Sequence, residues 1–203
     1  MNGPLKLVVG IGGASGMIYA RRLLAFLAKH TPESDVRIVF SKTARAIWAQ
    51  EIGTDPRALP FPVHGWRDFS APFASGSAGY RKMIVVPASM GGLARIAHGI
   101  SDDLLSRAAD VVLKERGQLI VVPRETPFSE IHLENMLRLA RLGAFVVPAC
   151  PSFYSAPRTI EELADTLVAR LLDRLSIPND LMERWGSKPS GTRLEAPAEE
   201  WIS

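Results

Sequence analysis

Five short apolar runs punctuate the chain: LKLVVG (5–10), VRIVF (36–40), KMIVVP (82–87), QLIVVP (118–123) and AFVVP (144–148). Each is rich in β-branched residues and short for a helix, which predicts strands. Between them lie stretches whose apolar residues recur at helical spacing: MIYARRLLAFLAKH (17–30), KTARAIWAQE (42–51), segments over 90–99 and 101–115, SEIHLENMLRLARL (129–142) and TIEELADTLVARLLDRL (159–175). Strands that alternate with helices predict β-α-β units and a parallel sheet. The runs are apolar nearly throughout, so helices should cover both faces of that sheet, through right-handed crossovers. One α/β domain over residues 1–185 is expected, followed by a loosely ordered tail, 186–203. Residues 53–80 are rich in Pro, Gly and Ser, and a loop of that length predicts function or mobility.

In such sheets ligands bind beyond the carboxyl ends of the strands. The informative residues therefore follow each run: GGAS, Ser41, PASMGG, PRETP and PACPSFY. GIGGASG offers backbone N–H groups at a helix start, suited to a phosphate or to a flat ring approached closely; a plain strand-to-helix turn is the alternative. A dinucleotide site needs an acidic residue at the end of the second strand. Ser41 and Lys42 stand there, which disfavours NAD and leaves NADP or a mononucleotide open. PASMGG (87–92) again places small residues at a strand end, where Ser89 serves as a ligand contact or simply as a helix N-cap. Arg124 and Glu125 form either an internal pair that stiffens the turn or part of an anion site. Thr126-Pro127 is expected to open the next helix. Arg107 and Lys114 share one helix face, two turns apart, and such a face is ordinarily solvated. Tyr154 and Arg170 are ambiguous alone. His98 and His132 read as satisfied helix residues, and Cys150 as a buried small hydrophobe.

Composition narrows the function classes. The net charge of +3 shows no dense basic run with interleaved aromatics, so nucleic acid is not expected. No apolar run approaches the ~20 residues of a membrane span. The start MNGPLKLVVGIGG lacks the features of a signal peptide, and the single cysteine offers neither a disulfide framework nor a zinc cluster. A cytoplasmic protein is expected.

Taken in order, these segments resemble the UbiX-type flavin prenyltransferases over roughly residues 5–185. The diagnostic run is ISDDLLSRAADVVLKERGQLIVVPRETPFSEIHLENMLRLARLGAFVVPACPSFYSAP (100–157), supported by GASG at 13–16, SK at 41–42 and RWG at 184–186. The resemblance implies a three-layer, doubly wound parallel sheet of Rossmann-like or flavodoxin-like type. It implies an enzyme that transfers a dimethylallyl group, from dimethylallyl monophosphate, to N5 and C6 of reduced FMN without a metal. The product, prenylated FMN, would serve UbiD-type decarboxylases. By position, Gly13, Ala14, Ser15, Ser41, Ser89, Met90, Gly91, Gly92 and Arg124 should contact FMN, with Arg107 supporting the anionic site. Lys114, Glu125, Tyr154 and Arg170 should surround the donor phosphate, with Arg124 shared. Ser15, Glu51, Glu125 or the released phosphate are the implied proton carriers. A homo-oligomer, often a dodecamer with pockets between subunits, is also implied. Three positions depart from the family pattern: Gly12 where many relatives have Thr, Ala88 where many have Cys, and Phe69 where some have Trp.

Two rival readings share the flavin. PASMGG is similar to the PASANT segment of FMN-dependent cysteine decarboxylases of the same fold. Those enzymes also need a catalytic His and a PxMNxxMW-like segment; the second is missing, and His64 is the only plausible loop histidine. A non-catalytic FMN-binding subunit of a decarboxylase would need no donor-phosphate residues.

Overall fold

The computed structural model describes residues 4–186; apart from Gly186, the expected tail lies outside the described residues. The apolar runs form β1 (Lys6–Ile11), β2 (Asp35–Phe40), β4 (Lys82–Ala88), β5 (Gln118–Pro123) and β6 (Phe145–Val146). A further strand, β3 (Val63–His64), lies inside the long loop and was not foreseen. Two residues carry no periodicity; they pair because β2 offers an open edge at Ile38 and Val39. Together the strands make one six-stranded sheet in the order β3-β2-β1-β4-β5-β6, parallel at every pairing.

The helices are α1 (Met17–His30), α2 (Ala44–Glu51), α3 (Met90–Ala97), α4 (Leu104–Lys114), α5 (Glu130–Arg141) and α6 (Ile160–Leu175). Alternate strand residues feed two cores. Leu7, Val9, Ile84, Val86, Ile120 and Val122 pack against α1, α2 and α6. Val8, Val39, Met83, Val85, Leu119 and Val121 pack against α3, α4 and α5. The near-continuous apolarity of the strands is thus used on both faces, as a three-layer fold requires.

Most helix starts are set by side chains. The Ser89 hydroxyl accepts from the Gly92 N–H at 3.3 Å and caps α3. Asp103 caps α4 reciprocally with Ser106, and Thr159 caps α6. Helix α5 corrects the expectation for Thr126-Pro127: its N-cap is Ser129, in a capping box with His132, and Pro127 precedes the helix. Cys150 also differs from expectation and is exposed: Val147 and Ala149 still pack against the core and donate to β5 carbonyls, and the chain leaves that layer at Cys150.

The order 3-2-1-4-5-6 reverses direction between β1 and β4, and a parallel sheet opens a crevice at that reversal. The two strands close tightly there. The Gly12 N–H donates to the Pro87 carbonyl at 2.9 Å, and a Cβ on Gly12 would lie 2.6 Å from that oxygen.

Helices α1 and α6 close one face, and Leu171 is fully buried among them. Leu171→Ala should cost about 2–5 kcal/mol, because the surrounding helices collapse only partly around the void. In a chain of this size that lowers the unfolding midpoint by roughly 5–15 °C. A thermal melt with an unchanged midpoint would contradict this packing.

Candidate functional site

Two walls meet at the crevice. The first is built on the Gly-rich loop after β1. Gly16 adopts a left-handed conformation at φ 107° as the N-cap of α1 and supplies no side-chain cap. The orphan donors of that helix are taken from a distance: the Glu51 carboxylate, at the end of α2, accepts from the N–H of Gly16 at 2.9 Å and of Met17 at 2.8 Å. Burial alone pushes the Glu51 carboxyl upward. The two N–H bonds, the Ser15 hydroxyl and the positive charge of Arg124 outweigh it and hold the group below the ordinary glutamate range. Glu51 is therefore an anion at neutral pH.

Arg124 lies on the same side. A methyl group on Gly16 would come within 3.2 Å of the Tyr19 ring and 3.9 Å of Arg124 Cγ, so the arginine stem passes over the glycine turn. Burial raises the Tyr19 phenol, the nearby Cys150 thiol adds to that shift, and Arg124 opposes it. Arg124 is tied to β4 by its backbone, donating to the Ala88 carbonyl at 3.2 Å. The alternative of an internal Arg124–Glu125 pair is not what forms. Glu125 instead accepts from the Thr126 N–H at 3.0 Å, and among the described residues no ion pair joins it to Arg124.

The second wall is a cleft of about 240 Å³ on the α3 and α4 side, lined in part by Gly12, Ser41, Ser89, Gly92, Arg95 and Ser106. Ser41 Oγ is buried there without a hydrogen-bond partner. A buried hydroxyl left unpaired costs about 1–3 kcal/mol, so this one awaits a polar group. Lys42 also lines the cleft, with its ammonium over the Trp66 ring at 5.9 Å. The Trp66 carbonyl accepts from the Leu104 N–H at 2.8 Å, which binds the long loop to the first turn of α4. Close glycine backbone, an unpaired hydroxyl and two cations suit a phosphorylated, partly flat ligand such as FMN.

Thus Ser15, Glu51 and Arg124 gather on one wall, and Ser41, Ser89 and Gly92 on the other, with Met90 and Gly91 in the first turn of α3. Gly13 packs against Thr43 and Ser41, where a Cβ would lie 3.6 Å from Ser41 Oγ, and Ala14 joins it to Ser15 in the loop after β1. Arg107 turns toward the long loop instead, donating to the Ala74 carbonyl at 3.1 Å and to Asp110 at 2.9 Å.

The remaining residues lie elsewhere in the single chain. Lys114 ends α4 and pairs with Glu115 at 2.6 Å. It precedes the start of β5, whereas Glu125 follows that strand's end. At ~3.3 Å per residue the two are separated by roughly 17 Å, beyond a lysine's reach. Tyr154 packs edge-on against Trp185 at 5.5 Å. Arg170 lies near it through a chain of contacts, bonding Asp173, which in turn receives Arg184 at 2.6 Å. The predicted donor residues therefore form separate patches on the chain.

Arg95, Thr43, Asp103 and Ser106 line the cleft and were missed. The signal was available for Arg95, which lies six residues after Ser89 on a predicted helix, but its meaning depends on where that helix begins. Arg95 Nε sits 3.4 Å from Asp102 Oδ1, and both side chains are well exposed. Such a pair is worth about 0–1 kcal/mol.

Comparison with known proteins places this geometry. The family model described as Flavoprotein matches residues 1–172. The flavin prenyltransferase UbiX of Pseudomonas aeruginosa is 42% identical, covering 93% of this chain and 97% of that protein. The UbiX of Methanocaldococcus jannaschii is 43% identical over 90% of this chain and 100% of its own. A crystal structure of AnUbiX (PadA1) in complex with FMN and dimethylallyl pyrophosphate has a TM-score of 0.87 at 42% identity, covering 92% of this chain and 100% of that one. A dodecameric FMN-dependent UbiX-like decarboxylase from Escherichia coli O157:H7 has a TM-score of 0.86 at 41% identity, covering 90% and 100%. The cysteine decarboxylase EpiD shares the fold, at a TM-score of 0.56 and 17% identity over 73% and 82% of the chains.

The Glu51 bonds give a pH signature. A carboxyl held below its unfolded value contributes stability that is full above about pH 4–5 and is lost as pH falls through the folded value. Glu51→Gln should lower the unfolding midpoint at pH 7, and the deficit against wild type should shrink toward zero as pH falls below about 4. A deficit that is constant from pH 7 to pH 3 would mean the carboxylate charge is not what stabilises the α1 start.

Proposed function

The chain belongs to the Flavoprotein family, as one of its UbiX flavin prenyltransferases, and on that premise we propose that it joins a dimethylallyl group to N5 and C6 of reduced FMN. Dimethylallyl monophosphate is the proposed donor, and a UbiD-type decarboxylase the proposed recipient of the product. The observation that carries the reading is positional. The crevice at the strand-order reversal has an unpaired buried hydroxyl, a glycine-lined approach and Arg124, which among the described residues forms no salt bridge, in a chain of which 92% is matched by a structure in complex with FMN and dimethylallyl pyrophosphate. The proposed setting is the cytoplasm; among the described residues no helix is long and apolar enough to cross a membrane.

The reaction breaks an allylic carbon–oxygen bond and consumes the prenyl double bond. N5 loses its proton as it joins the terminal prenyl carbon, the alkene takes up a proton, and C6 gives up its proton as the carbon–carbon bond closes, so that phosphate and one net proton are released. Bound reduced FMN supplies the electron-rich centre. The chain's task is to orient both reactants, exclude water from a cationic prenyl group and neutralise the departing phosphate. Arg124 is suited to be shared between ligands because among the described residues it forms no salt bridge. Glu51, held as an anion against Ser15, suits proton acceptance better than proton donation. Glu125 is exposed at the crevice mouth and remains the third proton carrier of the proposal.

The scattered donor residues fit a site assembled from several copies. The relative from E. coli is a dodecamer, and we take this chain to be a homo-oligomer whose copies bring Lys114, Tyr154 and Arg170 to a neighbour's Arg124. The exposed apolar residues Ile131, Leu133 and Leu137 on α5, and Phe153 and Ile160 beside α6, provide surface for such contacts.

Two measurements test this. Purified protein with reduced FMN and dimethylallyl monophosphate should yield an FMN product one prenyl unit heavier by mass spectrometry. Unmodified FMN across a range of prenyl donors would refute the activity, and carbon dioxide release from an aromatic acid without any donor would favour direct decarboxylation, as the name of the E. coli relative suggests. Separately, Lys114→Ala and Arg124→Ala should each abolish turnover, while oligomers assembled from both variants recover part of it. No recovery in mixed oligomers would place both residues on one copy's site. Arg170→Ala should weaken use of the donor while FMN still binds.

A further inference from the structure

Arg95 presents an unusual arrangement at the mouth of the cleft. Its helix carries glycine at 91 and 92, and a Cβ on Gly91 would lie 3.7 Å from the Arg95 guanidinium. The arginine folds back over that bare turn and donates to the Gly91 carbonyl at 3.2 Å. Its Nε faces Asp102 at 3.4 Å, a long contact for a charged pair. Arg95 lines the same cleft as Lys42 and the unpaired Ser41 Oγ. Asp102 is the only carboxylate paired with it among the described residues. Asp103, its neighbour, is engaged by the Ser106 N–H at 2.7 Å.

We propose that Arg95 reads the phosphate of the flavin acceptor and that Asp102 is a resident counter-ion which that phosphate displaces. The proposal rests on the flavin reading above and adds a specificity residue to it. A phosphate monoester is close to a dianion at neutral pH and offers three acceptor oxygens, which makes it the stronger partner for a forked guanidinium. Asp102 is exposed, so the charge it gives up returns to water at little cost. Lys42, held over Trp66, and the Ser41 hydroxyl take the other phosphate oxygens. Two consequences separate this arrangement from a merely structural arginine. Arg95 should discriminate FMN from riboflavin, which has the same ring and no phosphate. Asp102 should weaken FMN binding, because it competes for the same guanidinium.

The test is a fluorescence titration of the full-length protein with oxidised FMN and with riboflavin. Arg95→Ala should weaken FMN about tenfold or more and leave riboflavin within about twofold. Arg95→Lys should restore part of the FMN affinity. Asp102→Asn should tighten FMN by about two- to fivefold, and that gain should vanish when Arg95 is already alanine. The riboflavin affinity in each variant reports whether the crevice is still folded. Equal weakening of both flavins in Arg95→Ala, or Asp102→Asn with no gain for FMN, overturns the proposal. If the wild type prenylates FMN and yet these variants leave the FMN-to-riboflavin ratio unchanged, only the Arg95 assignment fails. A wild type that binds neither flavin overturns the flavin reading together with it.

Discussion

The first turn of α1 has to be solved before anything else at the crevice can exist. A helix leaves its first N–H groups without partners, and here the usual side-chain cap is missing because Gly16 occupies the cap position. Glycine is required there by the left-handed backbone at φ 107°, which lets the chain turn off β1 beneath Arg124. Glu51 supplies the missing acceptor from the far end of α2. One carboxylate therefore fixes the shape of the glycine loop, joins α2 to α1, and stations a negative charge beside Ser15 and Arg124 at neutral pH. In the proposed mechanism a structural repair and a proton acceptor would coincide in the same atoms.

That coincidence also changes what the glycine loop can bind. A helix start with free N–H groups is an anion site by default. At α1 two of those groups are occupied by a carboxylate, which repels a phosphate at that point. The anion-binding capacity moves to the other wall, toward Lys42, Arg95 and Ser41. The loop at Gly13 to Ser15 is left for close backbone approach to an uncharged, flat group. The proposed division of the crevice into a ring side and a phosphate side would thus follow from where Glu51 puts its oxygens.

The fold was legible because its signal is redundant. Five apolar runs separated by helical periods admit few architectures, and the caps at Ser89, Asp103 and Thr159 mark the starts of α3, α4 and α6. The failures have local causes. Val63–His64 forms a strand only because β2 has a vacant edge, which is a tertiary fact. Pro127 looks like a first-turn proline, but the Ser129–His132 capping box lies closer to the apolar face and wins. Cys150 looks like a core residue by type, but the chain leaves the core layer after Ala149. At the site, strand-end residues such as Ser41, Ser89 and Arg124 could be located from topology alone. Arg95 could not, since its value lies in the bare glycine turn it folds over and in the cleft beyond.

The cations that do not converge in one chain are informative in their own right. Lys114 and Arg170 each make an ion pair at the surface, with Glu115 and Asp173 respectively. Exposed pairs of this kind add about 0–1 kcal/mol, too little to explain by stability why Lys114 lies beside the exposed Leu142 and Arg170 beside the exposed Phe145. Apolar surface on α5 and beside α6 gains by being covered. Covering it would take the same cations out of water, where a partner anion strengthens them and an absent one makes them costly. A second copy bearing an anionic crevice ligand meets both demands at once. In the proposed homo-oligomer the burial of Ile131 and Leu137 would drive assembly, and the proposed chemistry at Arg124 would use the basic side chains that the assembly brings with it.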